Sequence, residues 1–283
     1  MNTERIIDYY QTTALNAYDR WGGLTEAYHF GYFRNLPVNF FGKQPEEVYK
    51  QHMNSHRNML KVAAKFINAK EGELVIDAGC GSGSMIPYLS ERGAPRVLGI
   101  NITPVHLQKA KQRIQEQGLT HSEVILGDFL EVPLGDESVN KILFFESLTH
   151  ASNQEKVLKE ARRLLKEKGQ IIIIEPMLTT IRLLLDAETY FNVREIDRGM
   201  CLQVSSLPYL DLTLRRLGFV VETKDITPHV LPSMVLAAAS AEAHNELSSE
   251  KVFRHRSATI SYRDLAQKGS LQYMMLKATK ING

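Results

Sequence analysis

Asp77 stands just ahead of Gly79, Gly81 and Gly83 in the stretch VIDAGCGSGSM, residues 75–85. Glycines at alternate positions let a backbone turn sharply and come close to a ligand, as in phosphate-cradling loops. A dinucleotide fingerprint G-x-G-x-x-G needs a further glycine three residues after the second, and that position is Ser84. A P-loop closes on Gly-Lys-Ser/Thr, and no lysine follows these glycines. The Asp77 carboxylate would repel a pyrophosphate and suits a ligand carrying an ammonium or sulfonium group. Asn101, at the end of the next apolar run, is a neutral amide suited to ribose hydroxyls.

These residues need a scaffold, and the hydrophobic pattern describes one. ELVIDAG, RVLGINIT, SEVILGD, NKILFFES and GQIIIIEP read as five strands. Between them lie SMIPYLSERG, a helix ending near Gly93, and Pro104–Gln117, with Thr103 as N-cap and Pro104 in the first turn. Asn153–Lys166 is an amphipathic helix, capped by Ser152 or Asn153. Such alternation implies βαβ units and a parallel α/β sheet, and IIII and ILFF suit central strands covered on both faces. A helix follows near Ser205–Leu217, with strands near Phe219–Asp225 and Leu271–Lys277. Pro45 to about Ala69 is helical. Residues 1–69 read as an aromatic-rich helical segment forming part of the substrate pocket, and 70–283 as the main domain with helical lid insertions at 177–204 and 231–264.

Taken in order, DAGCGSG (77–83), GINIT (99–103), LGDFLEVPL (126–134), FFESLTH (144–150) and IIIIEP (171–176) resemble the class I S-adenosylmethionine-dependent methyltransferases. The similarity is to the small-molecule branch that holds sterol, tocopherol, quinone and terpenoid methyltransferases. The resemblance implies a Rossmann-like, seven-stranded, mostly parallel sheet with helices on both faces. The cofactor would be S-adenosylmethionine at the carboxyl ends of strands one to four. It implies that Gly79 and Gly81 let the backbone approach the methionine moiety and that Asp77 anchors it. Asn101 or Thr103 would face the ribose, Asp128 the adenine amino group, Phe129 the adenine ring, and Ser147 would lie beside the cofactor. Many class I enzymes carry an acid at the end of strand two; Asn101 departs from that pattern.

For the acceptor, the strand-four sequence Phe144-Phe145-Glu146-Ser147 lacks the Asn/Asp-Pro-Pro-aromatic signature of nucleic-acid amine methyltransferases. It also lacks the paired glutamates of protein arginine methyltransferases. Glu146 and His150 resemble a substrate-facing pair, and His150 would serve a hydroxyl or amine as base. Methylation of an alkene instead leaves a carbocation, which Glu146 and the aromatics Tyr18, Trp21, Tyr28 and Tyr32 would stabilise. The catalytic set is thus Glu146, His150 and Tyr18, with Trp21, Tyr28, His29 and Tyr32 contacting substrate and no metal. The expected reaction is methylation of a small, largely apolar acceptor, favoured at carbon of an isoprenoid-type alkene. The alternatives are O- or N-methylation of a natural-product or quinone-like molecule, and a non-catalytic S-adenosylmethionine-binding or interaction module.

Composition sets outer limits. The 283 residues carry a formal charge of +2, which argues against a nucleic-acid binder relying on bulk charge. The two cysteines, Cys80 and Cys201, form neither a metal motif nor a disulfide framework, and Cys80 reads as a small packing residue. No secretory signal opens the chain and the longest apolar stretch, near Val230–Ala243, is too short to span a bilayer, so a cytoplasmic protein is expected. The 177–204 insertion and the aromatic N-terminus are candidates for holding a homo-oligomer together.

Overall fold

A computed structural model describes residues 3–14, 29–91, 95–243 and 250–281. Its centre is a sheet built on β1 (Leu74–Ala78), β2 (Arg96–Asn101), β3 (Ser122–Leu126), β4 (Val139–Phe145) and β5 (Leu165–Leu178), all parallel in the order β3-β2-β1-β4-β5. Beyond β5 the order continues β8 (Leu271–Lys280) then β7 (Phe219–Asp225), each antiparallel to its neighbour. These seven strands are the ones expected. The eighth is β6, Ser205–Ser206, which adds only a two-residue parallel pairing to the end of β5.

The central strands β1, β4 and the second half of β5 are largely apolar because both faces are covered, while the edge strands β3 and β7 carry exposed polar residues. Successive side chains point to opposite faces. Ile172 and Ile174 pack into one core with Met59 and Leu60, and Ile171 and Ile173 into the other with Leu158 and Leu214. The first core lies under α2 (Pro45–Ile67), α4 (Pro104–Glu116) and the lid helices; the second lies under α5 (Gln154–Leu164) and α7 (Leu207–Arg216). The short α3, Ile86–Ser90, is a five-residue remnant of the helix expected through Gly93. Asn153 caps α5, its side chain accepting from Lys156 N at 3.0 Å.

The insertions are helical, with shifted boundaries. β5 runs through Met177 and Leu178, so the first insertion starts after the strand ends and contributes α6, Ala187–Gly199. The second contributes α8, Thr227–Ala243, and α9, Glu250–Lys268. Pro232 lies inside α8 instead of breaking the segment. Among the described residues, no helix is long and apolar enough to cross a membrane.

A strap of chain, residues 29–33, is sewn between α2 and α8. Tyr32 N donates to Ser55 O at 2.8 Å, Gly31 N to Ser233 Oγ at 2.8 Å, and Phe33 N to His229 O at 2.9 Å. Gly31 lies so close to α2 that a Cβ there would come within 1.9 Å of Ser55 Oγ. At the chain start, α1 (Thr3–Asp8) runs into a π-helical turn, Tyr9–Ala14, and reaches α9 through Tyr9 OH to His255 Nδ1 at 2.9 Å and Lys251 Nζ to Asp8 at 2.7 Å.

Gly199 stands where α6 packs on α9. A Cβ at this residue would lie 2.2 Å from Arg254 O and 2.8 Å from Ala258 Cβ on α9. Backbone cannot yield as a flexible side chain does, so Gly199→Ala is expected to lower stability by about 1–3 kcal/mol through overpacking. Denaturant unfolding of the two proteins measures it; equal midpoints would show that α6 and α9 are not tightly coupled.

Candidate active site

Strand order reverses between β1 and β4, and open α/β sheets bind ligands at the carboxyl ends of the strands beside such a reversal. A cleft of about 1020 Å³ opens there. Asp77, Gly79, Gly81, Asn101, Thr103, Asp128, Phe129 and Ser147 all line it, so the structure brings together every residue expected at the cofactor. Gly79 has a φ of +84°, and a Cβ on it would come within 2.5 Å of Ser147 Cβ. The Ser147 hydroxyl donates to Ala78 O at 2.5 Å, tying the end of β4 to the end of β1. Gly79 N and Cys80 N both donate to Ile100 O, at 2.8 and 3.1 Å. These bonds hold the loop folded back over the strand ends.

Asp77 Oδ2 and Asn101 Nδ2, both buried in this cleft, lack a protein partner. Burial pushes the Asp77 carboxyl up to about 7. A carboxylate oxygen accepts and an amide nitrogen donates, so the cleft offers complementary bonds to a ligand with a cationic donor and a hydroxyl. Asp128 uses Oδ1 to accept Leu130 N at 2.9 Å. Thr103 heads α4, but its hydroxyl makes no capping bond. Phe129 meets Phe144 edge-on with centroids 5.7 Å apart. Cys80 is a buried packing residue, its thiol pushed well up by burial first and by Asp77 second.

A second cavity of about 780 Å³ adjoins the first. Phe30, Pro176, Met200, Leu202, Ala237 and Tyr262 give it apolar walls. Four side chains, Tyr10, His29, Glu146 and His150, line both spaces. Anything passing from one cavity to the other passes these four.

Glu146 occupies the left-handed region, with φ +48°, immediately after β4, and its N–H donates to Ile174 O at 2.9 Å. That conformation is uncommon for a residue with a side chain. Its Oε1 accepts from Phe30 N at 3.1 Å and from the Tyr273 hydroxyl. Both bonds end on one oxygen, leaving Oε2 to the cavities. Burial pushes this carboxyl up to about 8, more than the Tyr273 and Phe30 hydrogen bonds pull it down. Glu175 lies behind it, taking hydrogen bonds from the Ser205 hydroxyl and from Thr149 N at 3.3 Å, and burial raises it to about 7.

His150 Nδ1 lies 3.0 Å from Cys201 O. A carbonyl only accepts, so Nδ1 carries the hydrogen and Nε2 accepts from the Tyr10 hydroxyl at 2.7 Å. Burial lowers this imidazole to about 4, so it is neutral near pH 7. His150 thus reaches the cavities in company with Tyr10, a residue the sequence shows only as one of many N-terminal aromatics.

The remaining expectations divide. His29 is in place at the junction. Tyr32 lines neither cavity: its ring stacks on His229 at 4.5 Å, beside an outer depression with Arg34, Lys61 and Lys65. Tyr18, Trp21 and Tyr28 lie outside the described residues. Tyr273 and His56 were not singled out from sequence. Tyr273 sits in an apolar strand where a tyrosine reads as core, and His56 on the inner face of a helix. Among the described residues, no cluster of His, Cys, Asp and Glu is arranged to hold a metal ion.

Known proteins resemble this chain in sequence and in fold. Residues 69–206 fit the family described as a methyltransferase domain. That segment, just under half of the chain, is similar to methyltransferase domains. The sarcosine/dimethylglycine N-methyltransferase of Aphanothece halophytica is 31% identical over 175 residues, 61% of this chain and 58% of that protein. The 24-methylenesterol C-methyltransferase 2 of Arabidopsis thaliana is 28% identical over 207 residues, 72% of this chain and 56% of that protein. The chain thus spans a little over half the length of these curated relatives. A solved geranyl diphosphate methyltransferase, in complex with GPP and sinefungin, superposes with a TM-score of 0.82 at 17% identity, covering 99% of each chain. The matched segment contains every expected cofactor residue. Much of the second cavity comes from outside it, with Tyr9, Tyr10, His29, Phe30 and His56 before it and Ser233, His255 and Tyr262 after it.

Buried titratable groups in and around this segment set a pH optimum for stability. Asp77, Glu146 and Glu175 hold their protons to about 7, 8 and 7. Their stabilisation is present below the ordinary carboxyl range and is lost as pH rises through those values. His29, His52, His150 and His255, lowered from 6.5 to about 4, act the other way: their stabilisation is present above 6.5 and is lost as pH falls through 4. Thermal unfolding without added ligand is expected to show a maximum at roughly pH 6.5. Glu146→Gln should flatten the alkaline side; a Tm that climbs steadily to about pH 9 would contradict this balance.

Proposed function

We propose that this protein transfers a methyl group from S-adenosylmethionine to a small, largely apolar acceptor, favoured at carbon of an isoprenoid-type alkene. The observation that carries this is the junction: a polar cleft with unpartnered Asp77 and Asn101 meets an apolar cavity across the Glu146 carboxyl. When bound, S-adenosylmethionine supplies an electrophilic methyl carbon on a positively charged sulfur. In this reading Asp77 takes the ammonium end, Asn101 with Thr103 the ribose, Asp128 the adenine amino group and Phe129 the ring. Gly79 and Gly81 keep the approach bare of side chains.

The chain's own residues do the rest by position and charge. The two cavities hold donor and acceptor in line, which supplies much of the rate of a displacement. Glu146, protonated at neutral pH when nothing charged lies near, shifts toward its carboxylate once positive charge develops on the acceptor. The ionised group stabilises a cation developing on a methylated alkene and can accept its departing proton. Tyr10 and the rings of Phe30 and Tyr262 provide π faces on the same side. Residues 1–69 are, in this reading, part of the acceptor pocket.

A second reading, O- or N-methylation, is favoured by the Tyr10–His150–Cys201 chain, which holds a neutral imidazole within reach of both cavities. Incubation with methyl-labelled S-adenosylmethionine and a panel of terpenoid alkenes, phenols and amines, with products read by mass, separates the two. No labelled product and no cofactor binding would defeat both.

Two further outcomes are expected. Cofactor affinity should rise between about pH 6 and 8 as Asp77 ionises, and Asp77→Asn should cost roughly 10- to 100-fold in affinity and abolish that dependence. Titration calorimetry at several pH values reads both. Glu146→Gln should lower kcat by roughly 100-fold or more while cofactor affinity stays within about two-fold. A matching loss of affinity would place Glu146 at the cofactor instead.

A further inference from the structure

His29 enters the site on the strap between α2 and α8, and its hydrogen is fixed. Its Nδ1 lies 2.9 Å from Phe30 O, so Nδ1 donates and Nε2 keeps a bare lone pair. The ring stacks on Phe145, centroids 4.8 Å apart at 27°. Nε2 is shut from solvent and has no protein partner. Leaving such an acceptor unmet is costly, so an unmet one in a cavity wall marks where a ligand bonds.

His56 is its neighbour, with ring centroids 5.3 Å apart, and is itself 3% exposed. Its Nδ1 is also buried and unpartnered. Its Nε2 lies 2.9 Å from His52 Nε2, which lies 3.3 Å from Ser233 Oγ. The two facing nitrogens share one hydrogen. When His52 gives it, His56 Nδ1 becomes a donor; when His56 gives it, Nδ1 becomes an acceptor. The wall therefore presents a fixed acceptor at His29 beside an adjustable group at His56.

We propose that His29 and His56 form a hydroxyl-recognition subsite in the second cavity and that the acceptor is an uncharged alcohol. This rests on the methyl-transfer reading above and narrows it. A hydroxyl donates to His29 Nε2 and accepts from His56 Nδ1, satisfying both orphans at once. An ether or ketone oxygen has no hydrogen for His29. A diphosphate or carboxylate faces the His29 lone pair, and among the described residues that wall this cavity there is no lysine or arginine to neutralise it. Burial keeps the four imidazoles of this wall, His29, His56, His150 and His255, neutral, which removes the remaining source of positive charge.

Titration calorimetry of the full chain, with and without S-adenosylhomocysteine, tests it. The probes are monoterpenoid and aromatic alcohols, their methyl ethers, the corresponding amines and geranyl diphosphate. Alcohols should bind at least about ten-fold tighter than their ethers and than the diphosphate. His29→Phe should bring alcohol and ether within about two-fold of each other. Imidazole nitrogen-15 spectra of the unaltered protein give a readout that needs no variant: an alcohol should shift His29 Nε2, and its ether should not. Alcohols that bind no better than ethers, or tighter binding of an amine or the diphosphate, overturn the proposal. Binding of S-adenosylhomocysteine alone reads the methyl-transfer reading separately.

Discussion

Glu146 leaves β4 in a left-handed conformation, and much of the site depends on that one turn. It stops β4 at the strand reversal, lets Ser147 bond back to Ala78, and swings a carboxyl into the wall between two cavities. Its two hydrogen bonds come from distant parts of the chain, the Phe30 N–H on the strap and the Tyr273 hydroxyl on β8. A residue held against its backbone preference needs surroundings that fix it. One of these elements, the strap, also lines the second cavity through Phe30, so backbone strain and cavity wall share a contact.

The electrostatic character follows from burial that hydrogen bonds offset only in part. Asp77, Glu146 and Glu175 lie buried around the strand ends, and desolvation is the largest influence on each. Exposed ion pairs such as Arg215 with Asp211, on α7, do not offset this burial. A site of unsatisfied acidity accommodates positive charge by recovering what burial took away. The same property makes it hostile to anions, and the apolar walls of the second cavity carry that exclusion further.

The sheet and cofactor cleft were legible in the sequence because both are local signals. Strand and helix periods each lie within about a dozen residues. Asp77, Asn101, Asp128 and Ser147 each stand at a strand end, where the topology brings them together. The acceptor side was less legible for the opposite reason. Tyr10, His29, His56 and Tyr273 meet only when four separate elements fold, and none sits in a motif. Tyr32 illustrates the hazard: two residues beyond Phe30, its ring stacks on His229 instead of lining a cavity. Within an aromatic run, composition does not say which rings face the ligand.

The helix α1 has a consequence for access to the cleft. Thr3, Ile6 and Tyr10 all line the cofactor cleft, so its roof comes from the chain's beginning and its floor from the sheet. That roof is pinned through the Asp8–Lys251 ion pair, both of whose side chains are more than half exposed, and through the bonds of Tyr9 and Tyr10. An exposed ion pair weakens with added salt. The roof of the cleft is thus held at the edge of the molecule, by a contact that added salt loosens.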